Sequence, residues 1–376
     1  MKVVVAPDSF KGSISAPELC AAVKKGILRI YPSASVIELP LADGGEGTME
    51  NLVLASGGSV IHKVVKDPLG RPVKAGFGVL GDEETVVIEI AQASGLPLVP
   101  LKERNPLLAS SFGTGQLVKE ALDMGYRKFL IGLGGSATND AGTGLLKALG
   151  MRFFNENGED LMEGGGALIE LDHVDDILLD PRLKDCSFLI ASDVTNPLCG
   201  PNGASAVFGP QKGATPEDVK TLDKSLTHYS QIVHSTKGIN LIDITGGGAA
   251  GGIGASLVAF LGATIKPGIE VVMNAIQFEE KISNANLIIT GEGKLDAQTL
   301  SGKVIAGVTQ VAKPQQIPVV AICGQRNLDS KQMDELGLIA GFSIVPGPTT
   351  LEASLENASR WTTECTEQIM RLVKFS

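Results

Sequence analysis

Four aspartates each follow a short apolar stretch that predicts a β-strand: Asp8, Asp43, Asp193 and Asp296. Gly, Ser or Asn residues neighbour each of them, so a ligand could approach closely. Phosphoryl transfer needs oxygen ligands for Mg²⁺ and an acceptor for the proton of the attacking hydroxyl. The set therefore predicts a Mg²⁺ site with a general base, although each Asp taken alone is more typical of a turn or a helix cap.

Two lysines lie in the same acid-bearing segments, Lys11 after the first predicted strand and Lys294 close to Asp296. A cation at these positions can pair with a phosphate or a carboxylate. Three further basic residues lie in or beside other glycine and proline turns: Arg71, Lys303 and Arg326. For Lys303 and Arg326 a solvated surface charge is an equally good interpretation.

The segment GGSATN at residues 134–139 follows a predicted strand and precedes a predicted helix. Backbone N–H groups at a helix start bind phosphate well, so this loop is a candidate phosphate site. The side chains of Ser136, Thr138 and Asn139 could donate hydrogen bonds to a ligand, or they could cap the helix.

A second glycine-rich segment gives a weaker signal. Gly246, Gly248 and Gly251 fit G-x-G-x-x-G, but the acid that should contact a ribose, Glu270, does not end a predicted strand. NAD is therefore disfavoured, and no stretch fits the P-loop pattern.

The order strand, glycine-rich turn, helix recurs along the chain and would position these groups. Its central example is NLIITGEGKLDAQTLSGK at 286–303, which predicts a buried strand at 287–289 that ends at Gly291 and Gly293, a glycine-rich turn, and then a helix. The turn carries three charged residues: Glu292, Lys294 and Asp296. Ligands of open α/β sheets lie beyond the carboxyl ends of the strands, where this turn would be.

The pattern changes near residue 59, where three strand-like stretches separated by turn signals predict an antiparallel meander, and it returns near residue 267. We expect an α/β protein with two domains and an active site in the cleft between them. The first, at 1–58 and 267–376, would be a doubly wound Rossmann- or flavodoxin-like domain with one parallel sheet from both chain ends; the second, at 59–266, would be an inserted mixed α/β domain. The parallel strands are expected near Val4, Val36, Ile288, Val320 and Ile339. A further strand is expected at 241–244 and one helix over 271–282.

Composition narrows the function classes. The chain has 376 residues, 46 of them glycine, and a net charge of -10, which disfavours nucleic acid and anionic membranes as partners. No stretch has the roughly 20 apolar residues of a membrane span, and no signal-peptide core is present. The five cysteines are scattered and odd in number, which indicates reduced thiols and a cytoplasmic protein.

Many loops of this chain match those of one family. PDSFKGS, ADGGEGT, DPLGR, SSFGTG, IGLGGSATND, SDVTNPLCG, VFGPQKGA and TGEGKLDAQT resemble the bacterial glycerate kinase family, from residue 3 to about residue 357. The resemblance implies ATP- and Mg²⁺-dependent phosphorylation of D-glycerate in a two-domain α/β fold. It favours the 2-hydroxyl and leaves the 3-hydroxyl open.

The site residues follow from these interpretations. We assign the chemistry to Asp193, Asp296, Lys11 and Lys294, with Asp193 and Asp296 also as Mg²⁺ ligands. The substrate is assigned to Asp8, Ser9, Asp43, Gly44 and Arg71, and the nucleotide phosphates to Gly134, Gly135, Ser136, Thr138 and Asn139. The alternatives are a kinase for another short hydroxy acid and a metabolite-binding protein without chemistry. A monomer and a homodimer are both compatible with the sequence.

Overall fold

The computed structural model describes residues 1–45, 47–297, 299–301 and 303–375. Glu46 and Gln298, which belong to two of the family-like segments, lie outside the described residues. The strands are β1 Lys2–Val5, β2 Ser35–Glu38, β3 Ser59–Lys66, β4 Pro72–Val79, β5 Thr85–Glu89, β6 Lys128–Gly132, β7 Arg152–Asn155, β8 Leu171–Asp175, β9 Ser187–Ala191, β10 Thr264–Lys266, β11 Leu287–Leu295, β12 Val319–Arg326 and β13 Ala340–Ser343.

The helices are α1 Ala16–Ile30, α2 Thr48–Ser56, α3 Ala91–Ser94, α4 Phe112–Asp123, α5 Thr143–Ala148, α6 Ala204–Phe208, α7 Pro216–Lys237, α8 Ile253–Leu261, α9 Gly268–Ala275, α10 Phe278–Ile282, α11 Val304–Ala312, α12 Ser330–Leu336 and α13 Leu351–Phe375. Among the described helices, none is long and apolar enough to cross a membrane.

The chain divides into two compact units. Unit 1 contains Met1–Asp43, Leu54–Ser56 and Ile269–Ser376, and unit 2 contains Gly44–Val53 and Gly57–Gly268. The domain boundaries predicted from sequence, at 58/59 and 266/267, stay a prediction about how the chain folds.

Unit 1 contains a five-stranded parallel sheet in the order β2-β1-β11-β12-β13. Val4 of β1 pairs with Ile37 on one side and with Ile288 on the other. The predicted single parallel sheet from both chain ends is therefore confirmed. In order of appearance along the chain the strands are arranged 2-1-3-4-5, the flavodoxin-like order.

Helices cover this sheet. Val3 and Val5 pack with residues of α1 and α13 in one apolar core, and Val4 and Ile288 on the other face are also fully buried. A parallel sheet buried on both faces is what continuous apolar strands predict. Helix α1 begins at a capping box in which Ser15 Oγ accepts from the N–H of Glu18 and the Glu18 carboxylate accepts from the N–H of Ser15.

Unit 2 contains a six-stranded sheet in the order β10-β9-β6-β5-β4-β3. Strands β10, β9, β6 and β5 are parallel, whereas β5, β4 and β3 pair antiparallel, which confirms the predicted meander. A separate antiparallel hairpin, β7 and β8, was not predicted.

Two local predictions are wrong. The expected strand at 241–244 is a single 3₁₀ turn, Leu241–Asp243, in which Leu241 is buried and Ile242 is 45% exposed, so there is no alternating buried face to pair with a sheet. The expected helix over 271–282 breaks at Gln277, whose φ of +54° ends α9 and starts α10.

Candidate active site

The strand order of unit 1 places a crevice at the carboxyl ends of β1 and β11. In a 2-1-3-4-5 sheet the connections leave these two neighbouring strands toward opposite faces, and ligands bind where the strand order reverses. The segment after β1 is tied to β11, because the N–H of Asp8 donates to the carbonyl of Gly291 at 2.8 Å. Asp8 and the end of β11 therefore share one wall.

A pocket of about 670 Å³ opens at this point. Its polar lining includes four carboxylates and three lysines: Asp8, Asp43, Glu292, Asp296, Lys11, Lys294 and Lys303. Its remaining lining includes apolar residues such as Phe10, Ile344 and Leu355. The structure thus brings together Asp8, Ser9, Asp43, Lys11, Lys294 and Asp296 of the sequence-predicted set.

Strand β11 is longer than the sequence indicates. It continues through Gly291 and Gly293 to Leu295, paired with β12 as far as Arg326, so Glu292 and Lys294 are strand residues and not loop residues. Gly291 is needed for this pairing, since a Cβ there would lie 2.5 Å from the carbonyl oxygen of Ile322. The prediction that the strand ends in a glycine-rich turn at Gly291 and Gly293 is therefore wrong.

Glu292 is the most buried carboxylate of the pocket, with 8% of the residue exposed. Its Oε1 accepts a short hydrogen bond from the hydroxyl of Thr299. Burial raises the pKa of Glu292 to about 7, the charges of Asp8 and Asp296 act in the same direction, and the bond from Thr299 and the charge of Lys303 oppose the rise. Glu292 can therefore gain and lose a proton near neutral pH.

Asp8 has a similar but weaker perturbation. Burial and the charge of Asp43 raise the pKa of Asp8 to about 6, while the N–H of Ser9 and the charge of Lys11 lower it. The Ser9 N–H donates to Asp8 Oδ1 at 2.6 Å. The neighbouring acids that raise the pKa of Asp8 and of Glu292 mark a place where a cation or a shared proton is favoured.

Asp296 lies directly after β11 and keeps 22% of its side chain exposed. Lys294 Nζ lies 3.1 Å from its Oδ2. The backbone N–H of Asp296 donates to Thr299 Oγ1, the same hydroxyl that donates to Glu292. Thr299 therefore links the two acids.

In unit 2 the predicted phosphate loop is mostly interior. Gly134 and Gly135 reach the surface, whereas Ser136 is 5% exposed and Thr138 and Asn139 are fully buried. The loop does not begin a helix directly, because α5 starts at Thr143 with Gly142 as its N-cap. The prediction that the loop itself forms the start of a helix is therefore wrong, because residues 140–142 make a separate turn around an acid.

That acid, Asp140, was missed by sequence reasoning. It is fully buried and accepts from the N–H and Oγ of Ser111, both at 2.8 Å, and from the N–H groups of Gly142 and Gly144. Burial raises its pKa and these bonds oppose the rise. An Asp three residues before a helix is a recognisable N-terminal signal, so the sequence contained the information.

The remaining predicted residues of unit 2 are exposed or already bonded. Asp193 is exposed and its Oδ1 accepts from the N–H of Gly268 at 2.9 Å. Arg71 donates to Asp67 and to Glu103, both at 2.8 Å, so it stabilises the β3–β4 turn. Gly44 has a φ of +88°, and a Cβ there would lie 2.8 Å from the carbonyl oxygen of Ala191.

Within the described ranges, no group of three or more His, Cys, Asp and Glu side chains has the spacing of a metal site. Mg²⁺ does not need such a group, because it commonly takes one or two carboxylates and completes its shell with water and substrate phosphates. The mutually repelling acids of the unit 1 pocket fit that requirement.

Fold and site together define an α/β enzyme with a flavodoxin-like unit, whose acidic, lysine-lined pocket suits a small anionic substrate. The model of the glycerate kinase family matches residues 3–374. The chain belongs to the glycerate kinase family, as its loops predicted. It is therefore a kinase, an enzyme that transfers a phosphoryl group to glycerate.

Relatives and a solved structure support the assignment. The glycerate kinase of Bacillus subtilis (strain 168) is 46% identical over 376 residues, which cover 100% of this chain and 98% of that protein. The glycerate 2-kinase of Escherichia coli (strain K12) is 47% identical over 358 residues, covering 95% and 94%. The crystal structure of a "putative glycerate kinase 2" from Salmonella typhimurium LT2 is similar with a TM-score of 0.90 and 46% identity, covering 100% of this chain and 98% of that one.

Proposed function

We propose that this enzyme transfers the γ-phosphoryl group of ATP to the 2-hydroxyl of D-glycerate, with Mg²⁺, and that Glu292 is the general base. The observation that carries the proposal is a buried carboxylate at the topological switch point whose pKa lies at about 7. The 2-hydroxyl is supported by the E. coli relative, which is named a glycerate 2-kinase.

The proposed chemistry is a single displacement. Glu292 accepts the proton of the substrate hydroxyl while the hydroxyl oxygen forms a bond to the γ-phosphorus, and the bond from that phosphorus to the bridging oxygen of ADP breaks. A base with a pKa near the working pH combines a populated carboxylate with enough basicity to accept the proton. Thr299 would hold the carboxylate in place through its hydrogen bond.

The other residues of the pocket would bind and balance charge. Lys11 and Lys294 would offset the negative charge of glycerate and the transferred phosphoryl group. Asp8, Ser9 and Asp43 would hold the hydroxyls of glycerate. This division keeps the sequence-based substrate and lysine assignments, but it moves the role of general base from Asp193 or Asp296 to Glu292.

Bound Mg²⁺ would neutralise charge that develops on the phosphoryl oxygens. Asp296 is the ligand we propose for it in unit 1. Asp193 in unit 2 stays the second predicted ligand, and Gly44 and Arg71 stay predicted substrate contacts. Arg71 would have to leave Asp67 or Glu103 for that role.

For unit 2 we propose that residues 134–139 hold nucleotide phosphates. Gly134 and Gly135 form the part of the loop that reaches the surface, and Gly135 has a φ of +72°. Glycine lets backbone N–H groups approach a phosphate without a side chain between them. Buried Ser136, Thr138 and Asn139 would support the shape of the loop.

The test is an assay for ADP formation with D-glycerate, glycolate and lactate as acceptors, with and without excess chelator, followed by phosphorus NMR of the product. We expect Mg²⁺-dependent ADP formation with D-glycerate and a 2-phosphoglycerate signal. A 3-phosphoglycerate signal would overturn the choice of hydroxyl, and comparable rates with the other acids would favour a broader hydroxy-acid kinase. A chain that binds glycerate without forming ADP would be the sensor alternative.

A further inference from the structure

A buried lysine in unit 2 has no role in the account so far. Lys212 ends the 3₁₀ turn Pro210–Lys212 in the segment VFGPQKGA, and only 2% of the residue is exposed. Lysine is almost never fully buried unless its amino group is paired, because removing the charge from water costs on the order of several kcal/mol. A fully buried lysine therefore calls for an explanation.

The hydrogen-bond acceptors of Lys212 both belong to the predicted phosphate loop. Its Nζ donates to Ser136 Oγ at 2.9 Å and to the carbonyl oxygen of Thr138 at 2.6 Å. Burial lowers the pKa of Lys212 to about 7, and the charge of Asp140 opposes that shift, but the Asp140 carboxylate itself accepts from Ser111 and from backbone N–H groups. Among the described residues, Lys212 thus bonds to the loop and not to an acid.

Backbone bonds fix other parts of the same loop. The N–H of Ala137 donates to the carbonyl of Ser94, and the carbonyl of Gly135 accepts from the N–H of Leu96. Ser136 lies between these two points and Thr138 follows them, and Lys212 donates to the side chain of Ser136 and to the carbonyl of Thr138. These bonds therefore help to hold the interior half of the loop, together with the hydrogen bond from Asn139 Nδ2 to Ser205 Oγ.

The turn that carries Lys212 is itself closely packed. Gly213, the next residue, has a φ of +96°, and a Cβ there would lie 2.5 Å from the carbonyl oxygen of Arg104. Arg104 also donates to the carbonyl of Gln211. The backbone on both sides of Lys212 is thus held in place, which suits a side chain that fixes the position of a neighbouring loop.

We propose that Lys212 is a positioning residue: its buried amino group clamps Ser136 and Thr138 and so sets the shape of the 134–139 loop that receives the nucleotide phosphates. The inference rests on the proposed function of that loop. Lys212 does not contact the nucleotide in this account, and it acts through the loop alone.

The test compares Lys212→Met, which keeps the stem and removes the amino group, with the matched control Lys220→Met on the exposed face of α7. We expect the KM for ATP of Lys212→Met to rise about tenfold or more, the effect of losing the buried hydrogen bonds to Ser136 and Thr138, while the KM for glycerate stays within about twofold. A lower melting temperature with an unchanged KM for ATP would overturn the proposal, since that is the signature of a merely structural lysine.

A double-mutant cycle with Ser136→Ala tests the route of the effect. If Lys212 acts through Ser136, the combined change in KM for ATP is smaller than the product of the single changes. Multiplicative effects would overturn the proposed route. If Lys212→Met does not fold, Lys212→Gln and Ser136→Ala carry the test, and an unchanged KM for ATP in both would overturn the proposal.

Gly135→Val separates failure of this inference from failure of the proposed loop function. If Gly135→Val raises the KM for ATP and Lys212→Met does not, the loop binds phosphate without help from Lys212. If neither variant changes it, the loop itself is not the phosphate site.

Discussion

At the scale of single residues, Glu292 combines a catalytic assignment with a cost in stability. Burial holds the pKa of its folded state at about 7, above the value of 4.5 in the unfolded chain. Its proton is therefore bound more tightly in the folded state, so the stabilising contribution is complete below pH 4.5 and is lost as the pH rises through about 7. Above that pH the folded protein carries a buried, ionised carboxylate.

Glu292→Gln should therefore stabilise the protein at alkaline pH. We expect its free energy of unfolding at pH 8 to exceed that of the parent by about 1–3 kcal/mol, because a neutral amide of the same shape replaces the buried charge. At pH 4 the difference should vanish. Urea unfolding at pH 4 and pH 8 measures this difference, with Glu280→Gln on the surface of the same unit as control. An equal or lower stability of Glu292→Gln at pH 8 would show that burying the ionised Glu292 does not destabilise the protein.

Thr299 should tune the same titration. Its hydrogen bond stabilises the ionised carboxylate and lowers the pKa of Glu292, so Thr299→Val should move the acidic limb of the pH profile of kcat/KM for D-glycerate to higher pH. The matched control is Thr309→Val, a buried threonine of α11 that donates to the carbonyl of Ala306 within its own helix. A limb that stays in place in Thr299→Val would mean that the titrating group is not Glu292.

Of the acids and lysines predicted from residue types and spacing, Asp8, Asp43, Asp296, Lys11 and Lys294 line the pocket of unit 1 and Asp193 does not, and the pattern did not single out Glu292 as a base. Glu292 was visible as a charged residue after an apolar run, yet its burial depends on the continuation of β11 alongside β12, a long-range pairing. Lys212 was hidden for the same reason, because its partners lie 74 and 76 positions away in the chain. Such pairings are a property of the fold and leave no local periodicity.

At the scale of elements, the glycine-rich segment before α8 packs against the proposed phosphate loop. Gly251 has a φ of +69°, and a Cβ there would lie 2.2 Å from the carbonyl oxygen of Thr138. The G-x-G-x-x-G pattern that contains Gly251 follows a 3₁₀ turn, Leu241–Asp243, and not a strand. Gly251 therefore serves close packing against the loop, whereas Gly246 and Gly248 pack against the backbone of Val194 and of Asn196 and Pro197. Close packing accounts for all three glycines of the pattern.

Gly251→Ala should displace the Thr138 carbonyl. We expect it to lose about 1–3 kcal/mol more stability than the control Gly262→Ala, and to raise the KM for ATP where the control does not. Gly262 has a comparable φ of +64° but no heavy atom within 4 Å of its Cβ position, so Gly262→Ala measures only the loss of stability from placing alanine at a positive φ. Equal effects of the two variants on stability and KM would contradict a role for close packing.

The elements themselves were predicted unevenly. Alternating strands and helices of unit 1 were found because their apolar runs are short and bounded by glycine or proline, and Val4 does pair with Ile288. The hairpin of β7 and β8 was missed, because its partners are separated by a 3₁₀ segment at Gly165–Glu170 and only Leu171 and Val174 of β8 are buried. The break at Gln277 needs a positive φ that glutamine rarely adopts, so propensity gave no warning.

At the scale of the whole molecule, the two compact units have separate cores, and we propose that they correspond to a discontinuous domain and an inserted one. Trp361, Leu19 and Ile289 belong to one core, whereas Tyr229 and Phe153 belong to the other. Two cores allow the units to open independently. Judged by packing, unit 2 begins at Gly44, whereas the sequence pattern changes near residue 59.

Native-state hydrogen exchange in low urea should then resolve two groups of amides. We expect the strands of the parallel sheet in unit 1 to share one opening free energy and the strands β5, β6 and β9 of unit 2 to share another. Saturating D-glycerate alone should raise the value for unit 1, which holds the pocket assigned to it. One common opening free energy for all these strands would contradict two independent domains.

The most direct test of the central assignment is the pH dependence of kcat/KM for D-glycerate, together with kcat at pH 8, for Glu292→Gln beside the parent enzyme and Glu280→Gln. We predict that kcat/KM of the parent and the control falls below about pH 7, and that kcat of Glu292→Gln at pH 8 is roughly 10²–10⁴-fold lower with little change in either KM. The residual activity should lack the acidic limb. Parental turnover in Glu292→Gln, with the limb still in place, would contradict the account and return the base to Asp296, Asp193 or Asp8.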